Sequence, residues 1–451
     1  MKKIILFPIL VAILLTSCLI GKRYARPAIE IPAAYLNHSD AKTKSDSIIN
    51  VKWFQLFKDT VLNNIIAKAL ESNTDLKIAA IRIDQSRSQY RISKASLLPS
   101  VGYSASAQLS DPETDKFSLM GTASWELDFW GKLRHAKRAA YAEYLASEEA
   151  FKVLKTNIVS DAAILYFELR DLDNRLTVSK QTLESRTSYY HIVNERFIKG
   201  EVAELDKLQA EQQLAIIEAT ISDLVGQLNN TERSLNVLLG QNPQTIPRGV
   251  QNRNQTLPPE IPEGLPSTLL EQRPDVRSAE NTLIAETEKI GGTQALRFPS
   301  FQLTGLLGIA STDLSNLLSD GTHVRNLTGS ILGPLFEFGK NARRVEIQKG
   351  EAEIAVNKYL NTYRTALSEV ENALVSVRTS QEEYGARRRQ TEAARKVLLL
   401  TKAKYDSGYS NYLDVLVSET YAFDAEMQLS VTKAKQLEQI VSLYRALGGG
   451  W

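Results

Sequence analysis

One thiol and two carboxylates are the side chains whose placement in this sequence could do chemistry. Cys18 is the single cysteine of 451 residues and closes the stretch Leu15-Thr16-Ser17-Cys18. A thiolate is a strong nucleophile and can take up an acyl or diacylglycerol group. Standing alone, it forms no intrachain disulfide and no C-x-x-C site. The carboxylates are Asp206 and Asp414. Each follows a leucine (Leu205, Leu413), and each lies six residues past a glycine (Gly200, Gly408). A carboxylate there can cap a new helix or place a negative charge at a turn, and the two roles are compatible.

Little else in the chain is poised for catalysis. The four histidines, His38, His135, His191 and His323, are far apart. None has a second His three to five residues away, which argues against a histidine metal site. Methionine occurs three times and gives no soft-metal cluster either. G-x-S-x-G, Walker and G-x-G-x-x-G patterns are all missing. The chain therefore reads as a non-enzyme without a cofactor, in transport or structural work. Lys+Arg 54 against Asp+Glu 52 gives +2, too little for nucleic-acid binding by charge. At 43% hydrophobic and 24% charged, the chain is not a disordered one.

The amino terminus reads as an export leader over 1–17. Lys2 and Lys3 form a basic flank, and Ile4 to Leu15 an apolar run broken by Pro8. A span across the bilayer needs about 20 residues, so this run is a signal peptide. Losing Lys2 and Lys3 leaves a formally neutral chain, 2 − 2 = 0. The ending is similar to the bacterial lipobox, in which the cysteine is acylated and becomes the first mature residue. Leu19 follows it, and that sorting rule points to the outer membrane.

The rest is an internal duplication. Phe197 to Asp206 parallels Tyr405 to Asp414, an offset of 408 − 200 = 208. Gly131-Lys132 matches Gly339-Lys340, and Leu239-Gly240 matches Leu447-Gly448, at the same offset. Upstream, Pro99-Ser100 matches Pro299-Ser300 at an offset of 200. After an N-terminal segment (18–60) come a first repeat (61–240), a proline-rich connector (241–274) and a second repeat (275–451). The connector holds half of the 14 prolines.

Each repeat predicts the same elements. A helix ends at the proline, over Asp75 to Leu98 and Asp275 to Phe298. A strand pair follows at 101–130 and 301–336, because apolar and polar residues alternate there with period two. Val101, Tyr103, Leu119, Trp125 and Leu127 mark one face; Ser104, Thr122 and Glu126 mark the other. A long helix runs over 133–199 and 342–407, with Ala162, Leu169, Leu176, Leu183, Tyr190 and Phe197 spaced by seven. Gly200 and Gly408 stop these helices, and return helices follow over 203–239 and 412–447.

Four strands with one apolar face cannot close a barrel alone, and a lipid-facing sheet does not tolerate open edges. Pooling strands from several chains is the simplest remedy. The helices carry narrow apolar seams in a chain of mean hydropathy −0.22. Such seams suit helices with water on two sides as well as a solid bundle.

Four stretches resemble the TolC family of outer membrane efflux channels, in its lipoprotein (NodT-type) branch. They are Trp125-Glu-Leu-Asp-Phe-Trp-Gly131-Lys132, Leu269-Leu-Glu-Gln-Arg273-Pro-Asp275-Val-Arg277-Ser-Ala-Glu280, Pro334-Leu-Phe-Glu-Phe-Gly339-Lys340 and Ala446-Leu-Gly-Gly-Gly-Trp451. The resemblance implies a mainly helical protein with four strands per protomer. It implies a homotrimer whose strands form a 12-stranded barrel, four from each of three copies, above an α-helical tunnel. It also implies lipid on Cys18, a periplasmic adaptor and an inner-membrane RND-type transporter. The tunnel would be gated at the tip turns Gly200 and Gly408. Tyr405 matches a tyrosine that bonds an aspartate at Asp206; Leu413 and Asp414 match residues that narrow the pore. Val417 and Ser410 depart from acidic and basic family positions. The competing readings are an exported coiled-coil scaffold or adaptor-like lipoprotein, which needs no amphipathic strands, and a lipid-anchored enzyme, which needs a convergent polar site.

Overall fold

The computed structural model describes residues 20–21, 23–29, 57–109, 115–255, 272–319 and 323–449. Cys18, the leader and the terminal Trp451 lie outside them. The elements are α1 (Thr60–Ser72), α2 (Thr74–Ala95), β1 (Ser100–Gln108), β2 (Lys116–Leu127), α3 (Lys132–Ile198) and α4 (Glu204–Leu238). Then come α5 (Pro274–Ala295), β3 (Ser300–Ser311), β4 (His323–Leu332), α6 (Lys340–Asp406) and α7 (Tyr412–Ala446). Short 3₁₀ turns occur at Asn252–Asn254 and Leu314–Asn316.

The duplication is metric. Both long helices have 67 residues, both return helices 35, and α2 and α5 both have 22. At about 1.5 Å per residue each long helix measures about 100 Å. Where expectation and structure differ, local chemistry explains the gap. Helices α2 and α5 end three residues before the expected Leu98 and Phe298. The residue before a proline avoids α geometry. The chain therefore leaves each helix through a tighter turn, with Leu98 N donating to Ala95 O at 2.9 Å and Phe298 N to Ala295 O at 3.1 Å. Strand β2 stops at Leu127 because Asp128 turns to the start of α3. Its carboxylate accepts from Leu133 N at 3.0 Å and Arg134 N at 2.9 Å. Strand β4 stops at Leu332, short of the expected Phe336, because Pro334 cannot donate to a ladder.

The residues fall into two compact units, and each draws on both repeats. One contains Met1–Glu30, Ala79–Ala150 and Asp275–Thr362; the other contains Ile31–Ile78, Phe151–Pro274 and Tyr363–Trp451.

The first unit holds an antiparallel sheet of order β1-β2-β3-β4. Its register keeps the two faces apart. Tyr103 lies opposite Gly121 and Ala105 opposite Leu119. Leu119 faces Ile309, Trp125 faces Leu303, and Gly305 faces Leu327. All these residues share one face. The other face carries Ser104, Ser106, Thr122, Ser124, Gln302 and Thr304, tied by bonds such as Ser106 to Ser118 at 2.8 Å and Gln302 Nε2 to Ser124 Oγ at 3.0 Å. The apolar face is bare: Tyr103 is 88% exposed, Leu327 75% and Leu307 63%. Aromatics gather at the sheet end nearest the helices. Trp130 stacks on Phe298 with ring centroids 4.7 Å apart, and its Nε1 donates to Pro299 O at 2.7 Å.

The second unit buries Tyr166, Phe167, Leu169, Ile217, Leu224, Leu235, Leu437 and Leu443 almost completely. Each such side chain contributes about 1.5–3 kcal/mol. Among the buried residues of this unit is the Asp59 carboxylate, 1% exposed. Its Oδ1 caps α1, accepting from Val61 N at 2.9 Å and Leu62 N at 3.2 Å. Its Oδ2 accepts from Tyr166 Oη at 2.9 Å, Val250 N at 3.1 Å and Gln255 Nε2 at 2.7 Å. Both carboxylate oxygens are thus satisfied by hydrogen-bond donors.

We predict that a cysteine at Leu119 resists a water-soluble thiol reagent in the native membrane, while one at Thr122 reacts. An arginine at Leu119 should cost about 2–4 kcal/mol if that position lies near the bilayer midplane. Strong labelling at Leu119 with Thr122 protected would invert the faces.

Candidate functional site

The residues around the two glycine turns all belong to the second unit. Helix α3 ends at Ile198 and Gly200 takes φ +76°; α6 ends at Asp406 and Gly408 takes φ +78°. The closures are the same. Gly200 N donates to Phe197 O and Glu201 N to Arg196 O, each at 2.9 Å. Gly408 N donates to Tyr405 O and Tyr409 N to Lys404 O, each at 2.9 Å. These are Schellman endings, in which the left-handed residue lets the chain satisfy the last helical carbonyls. No atom lies within 4 Å of where a Cβ would stand on either glycine. The requirement is torsional, with no part played by space.

The two return helices start differently. On α7, Asn411 Oδ1 accepts from Asp414 N at 3.0 Å, and Ser410 Oγ donates to Asp414 Oδ2 at 2.7 Å. Capping therefore falls to Asn411. Asp414 stands exposed in the first turn with its carboxylate held by Ser410. On α4 the cap position is Ala203, which has no side-chain bond to offer. Asp206 lies in that first turn, and its carboxylate has no hydrogen bond or ion pair among the described residues. Both aspartates sit where the helix dipole favours negative charge.

Tyr405 does not meet Asp206. Its hydroxyl accepts from Arg196 Nη1 at 3.2 Å, and Tyr189 is its second hydrogen-bond partner. Tyr189 lies flat on Tyr412, centroids 3.5 Å apart and planes 8° from parallel. Tyr412 in turn meets Tyr405 edge-on at 6.0 Å. Burial pushes both the Tyr189 and Tyr412 hydroxyls well above the ordinary phenol range. Those two rings thus stay neutral, and the cluster joins α3, α6 and α7. Nearby, Arg186 is 4% exposed and donates to Gln213 O at 2.9 Å; burial lowers its pKa. Leu413, Val417 and Tyr421 recur every fourth residue along α7, and all three are exposed, so one stripe of that helix is apolar and bare.

Spacing located the turns and their aspartates. It missed Arg196, Tyr189, Tyr412 and Asn411. Asn411 carried a signal, since Asn-x-x-Asp before an apolar helix start resembles a capping box. Tyr189 carried none, because nothing in one helix tells which ring of another it will stack on. Among the described residues no group of His, Cys, Asp and Glu could hold a metal ion. No described helix is long and apolar enough to cross a membrane.

We predict that Gly200→Ala and Gly408→Ala each weaken the local turn by about 1–2 kcal/mol, the cost of left-handed backbone for an L-residue. Proteolysis near the turn should rise while the global melting temperature moves little. Asn at either position should cost less. A large loss of global stability would contradict this purely torsional account.

The comparisons with known proteins agree with this geometry. The family model described as outer membrane efflux protein matches residues 65–241 and 265–449, one segment for each repeat. The cation efflux system protein CusC of Escherichia coli O6:H1 is 31% identical over 457 residues, covering 99% of this chain and 98% of CusC. The probable outer membrane lipoprotein SilC of Salmonella typhimurium is 28% identical, with all of both chains covered. The crystal structure of the Campylobacter jejuni CmeC outer membrane channel superposes with a TM-score of 0.90 at 26% identity, over 96% of this chain and 95% of that one. Two matched repeats, a bare apolar sheet and paired long helices lead to one conclusion: the chain belongs to the outer membrane efflux protein family, and it is an efflux channel of the outer membrane.

Proposed function

We propose that this chain is the outer membrane channel of a tripartite efflux system, working as a homotrimer. Three copies of the four-stranded sheet would close a 12-stranded barrel, since 3 × 4 = 12. The observation that carries this reading is the sheet itself. It has an exposed apolar face and a polar face, and β1 and β4 pair on one side only among the described residues. Lipid cannot satisfy such edges, whereas neighbouring copies can. A periplasmic adaptor and an inner-membrane RND-type transporter would complete the system, the transporter supplying the energy. Substances leave through the channel with no chemical change, so the chain needs no catalytic group and no cofactor. The covalent lipid would sit on Cys18, a reading supported by Leu15-Thr16-Ser17-Cys18 and by the lipoprotein name of SilC.

The gate would be the tip turns Gly200 and Gly408 with Asp206, Tyr405, Leu413 and Asp414. Leu413 stands half exposed on α7 beside Asp414. Repeated about a three-fold axis, Leu413 would narrow the pore and Asp414 would ring it with charge, drawing cations and repelling anions. The Arg196–Tyr405 bond ties the end of α3 to the end of α6. A hydrogen bond with one charged partner contributes about 1.5–3 kcal/mol, less where water competes. An adaptor with different affinity for the closed and open tips could shift a gate of that depth. Asp206, whose carboxylate has no partner among the described residues, is the acceptor this network would recruit when the tip tightens.

We predict that Tyr405→Phe raises single-channel conductance in planar bilayers. Asp414→Ala should weaken cation selectivity and block by multivalent cations, and Val417→Ala should change neither. Unaltered conductance together with unaltered selectivity would place the closure elsewhere. For the anchor, Cys18→Ser should abolish incorporation of labelled palmitate; label retained on that variant would assign the lipid to another residue.

A further inference from the structure

His135 is a buried group that neither the barrel nor the gate uses. It lies in the first turn of α3, 3% exposed. Its Nε2 is 2.8 Å from the carbonyl oxygen of Ile20, and its Nδ1 is 2.6 Å from Glu288 Oε2 on α5. A carbonyl only accepts, so Nε2 carries a proton. Nδ1 and the Glu288 carboxyl form the second hydrogen bond, so the ring bridges the Ile20 carbonyl and α5. Arg138 Nη1 lies 4.0 Å from the other Glu288 oxygen. The slot is fitted to the ring: a Cβ on Gly291 would fall 2.5 Å from ring atoms. Gly21, at φ +133°, lets the chain pass with its own Cβ position 3.0 Å from Gly291 Cα.

The segment that His135 grips is fastened at two further points. Ile20 N donates to Trp130 O at 3.4 Å. Glu280 on α5 accepts from Tyr24 Oη at 2.9 Å and from Arg26 Nε and Nη2 at 2.7 and 2.8 Å. Ile20 stands two residues past Cys18, a reach of at most about 7 Å. Trp130 belongs to the aromatic end of the sheet.

We propose that the His135 ring is the catch that docks residues 20–21 and 23–29 on α3 and α5, and that it thereby sets the depth of the lipid anchor against the aromatic end of the sheet. The depth clause rests on the lipid reading of Cys18; the catch does not.

The test uses the full-length protein in outer membrane vesicles. Limited trypsin digestion should cut the Arg23–Tyr24 bond slowly in wild type. His135→Phe removes both ring bonds and should speed that cut roughly tenfold, with helicity and oligomeric state unchanged. His135→Gln should fall between the two. Nitrogen-15 NMR of labelled histidine should show one ring, absent from His135→Gln, with a proton on Nε2. Should His135→Phe fail to fold, Glu288→Gln decides: cutting should speed several-fold. Cutting at the wild-type rate in the folded variants, or a wild-type ring with no proton on Nε2, would overturn the catch. Palmitate labelling separates the two readings. Label in wild type and His135→Phe alike supports the lipid reading on which the depth clause rests; no label in wild type overturns that clause and leaves the catch to stand on trypsin and NMR.

Discussion

A sheet edge in lipid has no water to satisfy it, and that constraint governs the rest of this molecule. Four strands leave two edges, β1 and β4, with open backbone groups among the described residues. Hydrocarbon makes each unpaired group expensive. The remedy we propose, closure with other copies, explains why one chain encodes only part of a barrel. It also explains the alternation that separates Tyr103 and Leu119 from Ser104 and Thr122. A closed barrel has one lipid face and one wet face, so a one-residue slip would exchange every side chain between them. Glycines at 121, 305 and 329 sit on the apolar face beside large partners such as Tyr103 and Leu327.

The helices obey a different rule. Their extent was legible because a helix without proline or glycine reports its own ends. Leu133 to Lys199 was expected, and Lys132–Ile198 is the element. Strand ends were read less well, since period two persists past the point where the ladder stops. Phe129 and Phe336 fit the alternation, yet one precedes the start of α3 and the other follows Pro334. Such endings depend on a cap or a missing donor, and neither leaves a periodic trace. Division into units was not legible at all. Each unit takes pieces of both repeats, so it answers to spatial packing and not to the order of duplication.

The tip shows the same limit at the scale of side chains. A 208-residue offset brought out Gly200 with Gly408 and Asp206 with Asp414. It could not say that Asn411 would cap where Ala203 does not, nor that Arg196 would take the Tyr405 hydroxyl. Duplicated halves start alike and then diverge at positions where each meets different neighbours. The tyrosine cluster is such a divergence. Tyr412 corresponds by that offset to Glu204, which has no ring to stack. The second turn therefore carries an aromatic brace that the first lacks, and the two turns are mechanically unequal.

Asp59 has a consequence for the order in which the chain can mature. Its five donors come from three stretches: its own helix start, Tyr166 in the long helix, and Val250 and Gln255 in the connector. The last of them lies 196 positions downstream, 255 − 59 = 196. A buried carboxylate short of its donors is costly, and joining ends so far apart pays loop-closure entropy before any contact repays it. The start of α1 must therefore wait, half-made, for the connector to arrive. A nascent chain delivered amino terminus first would carry an unfinished first repeat until residue 255 of 451, beyond the end of that repeat, had been released. During that interval its apolar strands would need shelter, and the time required is set by how fast the chain is supplied, whatever the speed of local helix formation.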